Sequence, residues 1–364
     1  MKILIIGYMH TKNDKRVFRT VETLSKTNEI IYQYITENEE NKYKEGNINY
    51  LPIKYTENKN LSSIEKLKMR YRNLDKVIFN IIKTESYDML YMHHFLPSKP
   101  IKPFVNAKKM NKKVVYDLHE LHPENFLENL TGFKKIIKEK IMWKILKKQI
   151  KFSDKVIFVS EEMSEYVHTK IKNPFKSKVI TNYASIALEP EKKAKTISIV
   201  GKTSRSLESE IKIIKESIKN GFEFKIIGMD LIDFSDVEHT YTSFLPYEKM
   251  MKEISKSAFS IISYTIKGKE IPLNFVFSMP NKFFDSIASG TPVIVNEKFI
   301  SMSKIVNEYS LGVTINPNNP EEAYKKIENS YNNYNEIIKN IKKYKEKFIW
   351  TAKKEKEFIN FIFC

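Results

Sequence analysis

Short apolar runs and segments of helical period alternate along most of the chain. Runs at 2–7 (KILIIG), 29–35, 89–93, 113–118, 155–160 and 178–183 have the length and composition of strands. Between them, 15–26, 61–84 and 161–172 repeat apolar residues at the steps of a helix with one buried face. This order predicts a parallel sheet covered on both faces. The charged stretch IALEPEKKAKT (186–196) follows neither period and predicts a linker. Beyond it the pattern restarts, with strands at 196–201, 222–228, 258–265, 293–295 and 312–315. Helices are predicted near 207–219, 243–255 and 278–289, from about 320, and over the final stretch from Ile338. The fold class is α/β: two doubly wound units, 1–185 and 196–340, a linker at 186–195 and a terminal helix at 341–364. Ligands of such sheets bind beyond the C-terminal strand ends, and two facing units predict a cleft.

One of these helices carries an oddity. In SMPNKFFDSIASGTPVIV (278–295), Ser278 and Pro280 predict the helix start, and Gly290 with Thr291-Pro292 predicts its end. Lys282 therefore falls in the first turn, where the helix dipole already presents positive charge. One account is a solvated polar face on which Lys282 pairs with Asp285. The other is a bound diphosphate, held by backbone N–H groups and Lys282 together, with Asp285 one turn deeper as acceptor for a ribose diol.

Composition narrows the class. The 364 residues carry 41% hydrophobic side chains, ordinary for a globular enzyme, and no apolar run approaches the ~20 residues of a spanning helix. MKILIIGYMH is too short and strand-like for a signal peptide, and the single cysteine, Cys364, excludes an internal disulfide or cysteine–zinc framework. The expectation is a cytoplasmic protein. The formal net charge is +18, and Arg occurs only at 16, 19, 70, 72 and 205. Abundant Lys, Asn and Ile throughout point to an AT-rich coding sequence, and the other account is an anionic membrane surface. The basic amphipathic segment 131–152 has two corresponding readings: a helix packed on the sheet, or one lying on lipid at the inner face of the plasma membrane.

MPNKFFDSIASGTPVI resembles the PNK-x-x-E … A-x-G-x-PVI signature of retaining, nucleotide-sugar-dependent glycosyltransferases of GT-B fold, family 4. Five further segments resemble that family in the right order: NDKRVFRTVETLSK (13–26), VVYDLHELHPE (114–124), SDKVIFVSEEM (153–163), ISIVGKTSRS (197–206) and FIWTAKKEKEF (348–358). The resemblance implies two Rossmann-like domains, a terminal helix returning to the first, and sugar transfer from a nucleotide diphosphate with retention. Surface polysaccharide assembly is the implied setting, with a glycan or lipid-linked acceptor.

The residues carried over are Asn281, Lys282 and Asp285 for the donor, with Lys202 and Arg205 reaching its phosphates. Two features depart from the pattern: Asp285 stands where the family has the second of two Glu and Phe277 or Ser278 where it has the first, and the usual Arg and Lys after the Gly become Lys202 and Arg205 at compressed spacing. His119, at a strand end, is implied to face the transferred sugar as the catalytic residue. Asp14, Arg16, His93, His94 and Glu120 are acceptor-side candidates. No Asp-x-Asp follows a strand of the donor domain, so neither a metal nor another cofactor is expected. Two rival classes stay open: a nucleotide-sugar 2-epimerase of the same fold, and a basic nucleic-acid binder. The second lacks an aromatic–basic RNA motif and a helix-turn-helix, so no nucleic-acid partner is expected. GYMHTKND after the first strand lacks the glycines of a dinucleotide site.

Overall fold

The computed structural model describes residues 1–56, 60–94, 96–125, 127, 130–190, 193–201, 207, 210–229, 236–264, 266 and 271–364. The chain forms two compact units, Met1–Ile180 with Glu355–Cys364, and Thr181–Lys354.

The first unit is built on an eight-stranded sheet. Its strands are β1 (Lys2–Thr11), β2 (Glu29–Thr36), β3 (Tyr43–Glu45), β4 (Ile48–Lys54), β5 (Met89–His93), β6 (Lys113–Leu118), β7 (Lys155–Phe158) and β8 (Ser177–Val179). The order is β3-β4-β2-β1-β5-β6-β7-β8, parallel except for β3, which runs antiparallel to β4. Ile3, Leu4, Ile5, Ile6, Leu90, Met92, Val114 and Tyr116 fill the centre without exposure, which is why these strands read as unbroken apolar runs. Strand order reverses between β1 and β5, so their C-terminal ends splay apart into a crevice.

The second unit carries a parallel six-stranded sheet: β9 (Ala194–Val200), β10 (Glu223–Ile227), β11 (Thr240–Thr242), β12 (Ser257–Ile262), β13 (Val293–Asn296) and β14 (Gly312–Ile315). The order is β11-β10-β9-β12-β13-β14, with the reversal between β9 and β12. A core of Ile197, Ile199, Ile213, Phe224, Phe259, Ile261 and Ile327 ties the sheet to its covering helices.

Three features differ from the sequence expectation. The sequence pattern does not predict the β3–β4 hairpin, because β3 is three residues long with no buried position and β4 contains Pro52. Pro52 lies past the part of β4 that β3 covers, where the missing N–H costs nothing. The terminal stretch is not one helix: Tyr334–Tyr344 and Ala352–Phe363 are separated by an extended step at Ile349. There the backbone pairs with Ala184, through Ala184 N–H to Phe348 O and Trp350 N–H to Ala184 O, both 2.9 Å. The third difference is in Gly132–Lys151, where two faces are used in succession. Met142, Trp143, Leu146 and Ile150 are buried, whereas Phe133 is 75% exposed and Ile136 and Ile141 each 50%. Among the described residues no helix is long and apolar enough to cross a membrane.

Candidate functional site

In the second unit the Asn281–Ala288 helix follows β12 and packs against it through Ser286 Oγ and Ser260 Oγ, 2.8 Å apart. It begins later than expected. The Ser278 hydroxyl is engaged with Phe275 O and the Tyr264 hydroxyl, both at 2.9 Å, and Pro280 takes the N-cap place with no side-chain cap. Its end falls where the sequence placed it. Gly290 has φ +78°, its N–H reaches Ile287 O at 3.0 Å, and Thr291 N–H reaches Ser286 O at 2.9 Å. That pair of bonds closes the last turn as a left-handed glycine cap does.

The polar side of this helix is not a solvated face. Lys282 is 8% exposed, Asp285 4% and Ser289 not at all. Lys282 Nζ donates to Ser263 O at 2.8 Å, just past β12, and lies 5.5 Å from the centre of the Tyr264 ring. Asp285 Oδ1 accepts from the Tyr247 hydroxyl at 2.8 Å. Burial, with Asp285 beside it, holds the Tyr247 phenol well above its usual value, so it remains a donor.

Lys282 and Asp285 line a cavity of about 410 Å³ together with Asn182, Gly201, Gly228, Phe244 and Asn281. Gly201 and Gly228 follow β9 and β10, so the cavity sits at the C-terminal ends of strands around the switch point. Gly228 has φ +79°, and a Cβ there would stand 2.7 Å from Gly201 O, so only glycine lets the two strand ends approach. Phe244, Leu245 and Met250 give one wall an apolar character. Lys202 and Arg205 lie outside the described residues.

In the first unit the crevice between β1 and β5 holds a second constellation. Arg16, on the Lys15–Ser25 helix, places Nη2 at 2.7 Å and Nε at 3.1 Å from Asp117 Oδ1, at the end of β6. Both side chains are buried. Burial alone would raise the Asp117 carboxyl, but Arg16 and the neighbouring imidazoles outweigh it and hold the carboxyl far below the usual range. Tyr91 donates to Asp117 Oδ2 at 3.0 Å. Asp14 caps the Lys15–Ser25 helix through Arg16 N–H and Val17 N–H, both 3.2 Å.

Four imidazoles gather round this pair. His119 Nδ1 faces Asp117 Oδ1 at 3.8 Å, and His93 Nδ1 faces Oδ2 at 3.5 Å. His94 Nε2 meets Glu120 Oε2 at 3.2 Å, and His94 itself has φ +26°, a strained backbone at the strand end. His10 Nε2 meets His119 Nε2 at 3.2 Å, while His10 Nδ1 meets Asp14 Oδ2 at 3.1 Å. Burial keeps His93 neutral far below the usual imidazole value, and it pushes His94 down to about 4 against the pull of Glu120. Arg16 and His93 thus lie beneath this surface, and His94, His119 and Glu120 lie nearer its rim.

Donor atoms of His93, Asp117 and His119 lie within 4.8 Å of one another. A dication among them would compete with the Arg16 guanidinium for the same carboxylate. His10 is the member that the sequence did not single out. Its only signal there was a histidine near the end of the first strand.

Residues 41–185 match the family model described as Glycosyltransferase Family 4. No curated protein matches the chain in sequence. Among solved structures, sucrose-phosphate synthase from Thermosynechococcus elongatus is similar with a TM-score of 0.66 at 10% identity, covering 96% of this chain and 95% of that one. WaaG, a glycosyltransferase involved in lipopolysaccharide biosynthesis, is similar with 0.66 at 9% identity, covering 94% and 95%. Anabaena HepE in complex with UDP gives 0.63 at 12% identity, covering 100% and 99%. At these identities the structural likeness establishes the GT-B fold.

Proposed function

We propose, from the premise that the chain is a glycosyltransferase of the GT-B fold, that it transfers a sugar with retention from a nucleotide diphosphate to a glycan or lipid-linked acceptor. The observation that carries this reading is Lys282: a buried ammonium in the first turn of a helix, lining a cavity at strand ends. Alone, that cation opposes the dipole; with a diphosphate in the cavity, both act on one anion. As the bond between sugar and phosphate breaks, charge grows on the leaving diphosphate, and preorganised donors stabilise it without reorganising. Asn281 lines the same cavity and Asp285 is suited to the ribose diol, while Phe244 and Leu245 offer a surface for the base. Lys202 and Arg205 are proposed as further phosphate contacts. This reading gives the charge-stabilising work to side chains and helix N–H groups, without a metal ion.

In the first unit His119 is proposed as the residue that faces the transferred sugar, with His94 and Glu120 on the acceptor side and Asp14, Arg16 and His93 supporting them. A surface polysaccharide setting at the inner face of the membrane is supported by the exposed Phe133, Ile136, Ile137 and Ile141 amid the lysines of 134–151.

A thermal-shift panel of UDP, GDP, CMP and their sugars tests the reading. The matching nucleotide at a hundredfold excess over its Kd should stabilise the protein by ~2.7 kcal/mol. A photoreactive analogue of it should label residues within 181–354. No stabilisation by any nucleotide, or labelling confined to 1–180, would overturn the proposal. Product sugar still on its nucleotide would assign an epimerase instead.

A further inference from the structure

We propose that His10 is the positioning residue for His119: as an imidazolium held by Asp14, it donates from Nε2 to Nε2 of His119 and so keeps the His119 proton on Nδ1, toward Asp117. The inference deepens the role proposed for His119, but the hydrogen-bond state itself does not depend on the reaction.

The geometry leaves three arrangements. Two imidazole nitrogens 3.2 Å apart need one donor and one acceptor. His10 Nδ1 lies 3.1 Å from a carboxylate oxygen of Asp14, which only accepts, so Nδ1 carries a proton. If His10 is neutral, its Nε2 is a lone pair and His119 must donate from Nε2. With His119 neutral, its Nδ1 lone pair would then point at the Asp117 carboxylate, 3.8 Å away, with no hydrogen between them; with His119 charged, both its nitrogens carry protons, a state that burial and the neighbouring His10 disfavour. If His10 is charged, it donates, and the Nδ1 proton of His119 faces the carboxylate.

Electrostatics selects the arrangement with His10 charged. The groups facing the pair are Asp14 and Arg16 from the Lys15–Ser25 helix, His93 and His94 from the end of β5, and Asp117 and Glu120 from β6 and beyond. Arg16 offsets Asp117, and His93 and His94 are held neutral, so the charge that meets the Asp14 carboxylate, 3.1 Å from His10 Nδ1, is that of His10. The titration tendencies agree. Burial opposes the charged form of His10, yet the hydrogen bond and charge of Asp14, with Glu120 and Asp117, carry it above its usual value. His119 is pushed down, by burial first and by His10 as well.

The chain makes a deliberate detour to deliver His10. Between the pairs Ile6–Gln33 and Thr11–Ile35, β1 advances five residues while β2 advances two. The excess bulges out at Gly7–His10, the device that re-aims side chains beside functional sites. Tyr8 takes φ +55° in this bulge, a conformation costly for a bulky residue. Its N–H donates to Gln33 Oε1 at 2.8 Å, Gln33 Nε2 donates to its carbonyl at 3.1 Å, and its hydroxyl donates to Asp75 Oδ1 at 3.1 Å. Gln33 and Asp75 are fully buried, and Asp75 closes a π-helical turn, Tyr71–Asp75.

The test is long-range proton–nitrogen NMR of the full chain labelled at its seven histidines. In the wild type at neutral pH, His119 should show a protonated Nδ1 and a bare Nε2, and His10 should titrate above the usual ~6.5. Asp14→Asn should lower the His10 midpoint and shift His119 toward the Nε2–H form. His10→Phe should do the same to His119. His10→Gln, whose amide can donate in place of the imidazolium, should keep His119 in the Nδ1–H form and make it insensitive to pH. Unchanged His168 and His239 signals certify the fold of each variant. An Nε2–H form of His119 in the wild type, or a His119 signal indifferent to both Asp14→Asn and His10→Phe, would overturn the proposal. No nucleotide sugar enters the experiment, so its failure leaves the transferase reading standing, and a failed nucleotide screen leaves this one standing.

Discussion

Lys282 Nζ donates to the carbonyl oxygen of Ser263 at 2.8 Å, joining the first turn of the Asn281–Ala288 helix to the end of β12. A strand-end carbonyl presents partial negative charge to a cation that the helix dipole disfavours. The bond holds the ammonium at the cavity before any ligand arrives. In Lys282→Gln the amide retains a donor for Ser263 and loses the charge. The apo protein should therefore change by ~1 kcal/mol or less in either direction. Single-turnover sugar transfer should fall by ~10²–10³, because one preorganised contact to the leaving diphosphate is gone. A variant with wild-type rates would remove the phosphate-site reading.

Asp285 sits one turn deeper and binds Tyr247 rather than the developing charge. A ribose contact is felt alike in the ground and transition states, so its loss appears in affinity rather than in the rate of the bound complex. Asp285→Asn should weaken nucleotide binding by roughly tenfold, about the 1–1.5 kcal/mol of one hydrogen bond, and leave single-turnover rates at saturation close to wild type. Tyr247→Phe removes the partner hydroxyl but not the carboxylate, and should retain most of the affinity. Calorimetric titration with the nucleoside diphosphate and its nucleoside separates these outcomes. Equal losses in rate and affinity for Asp285→Asn would contradict the assignment.

The cavity-lining residues Asn281, Lys282 and Asp285 were legible in the sequence because they are local. Ser278 to Gly290 is one helix with its own punctuation, and the oddity of Lys282 is visible from its place in the first turn. Only the cap was misjudged, because the Ser278 hydroxyl finds partners at Phe275 and Tyr264 that sequence spacing does not reveal. The alternating strands and helices were legible for the same reason, each being a property of consecutive residues. His10 was not. Its position depends on a bulge set by Gln33 and Asp75, 25 and 67 residues from Tyr8. The break at Ile349 likewise depends on Ala184, far away in the chain. Nor does a helical period tell which of two apolar stripes is covered, so the sequence of 131–152 admits both a packed and a lipid-facing helix.

His119→Ala removes an imidazole of the first unit, whereas the cavity lined by Lys282 and Asp285 is formed by residues of the second. Turnover should fall by ~10²-fold or more, and the Kd for the nucleoside diphosphate should stay within twofold or so of wild type. The check is a rate measurement beside a thermal-shift titration. Parallel losses in the two would place His119 in nucleotide binding rather than at the sugar.

His93 and His122 are fully buried and held neutral, each far below the usual imidazole value by burial. In the unfolded chain each takes up a proton near pH ~6.5. Below that pH the unfolded state binds protons that the native state refuses, so stability falls as the pH falls. The slope is at most about 1.4 kcal/mol per pH unit for each such histidine. His10, raised by Asp14, acts in the opposite sense, its contribution present at low pH and lost above its own titration. The carboxyls of Asp14 and Asp117, held low, add their loss only below the ordinary carboxylate range, near pH ~4. Denaturant unfolding should therefore show a steady decline in stability from about pH 7 to about pH 5. His93→Leu should flatten that decline, and an unaltered slope would show that His93 titrates in the native state.

The exposed end of the Gly132–Lys151 helix permits the last test. Phe133, Ile136, Ile137 and Ile141 recur at helical spacing on one face, left open where Met142, Trp143 and Leu146 turn to the core. Lysines at 134, 135, 138, 140, 144 and 147 flank that stripe. An apolar stripe beside basic side chains is the arrangement that rests on an anionic bilayer, where each lysine near the surface contributes about 1 kcal/mol. The protein should co-sediment with vesicles containing phosphatidylglycerol at low salt, and release as salt screens the charges. Phe133→Ser with Ile137→Ser should weaken this binding by removing apolar contact while keeping every lysine. The double variant should leave the melting temperature nearly unchanged, since both side chains are exposed. Lys134→Glu with Lys138→Glu should weaken it through charge alone and reduce its salt sensitivity. Equal sedimentation with anionic and neutral vesicles at low salt would dismiss the membrane surface as a partner. The cavity lined by Lys282 and Asp285, which lies wholly within residues 181–354, would be unaffected.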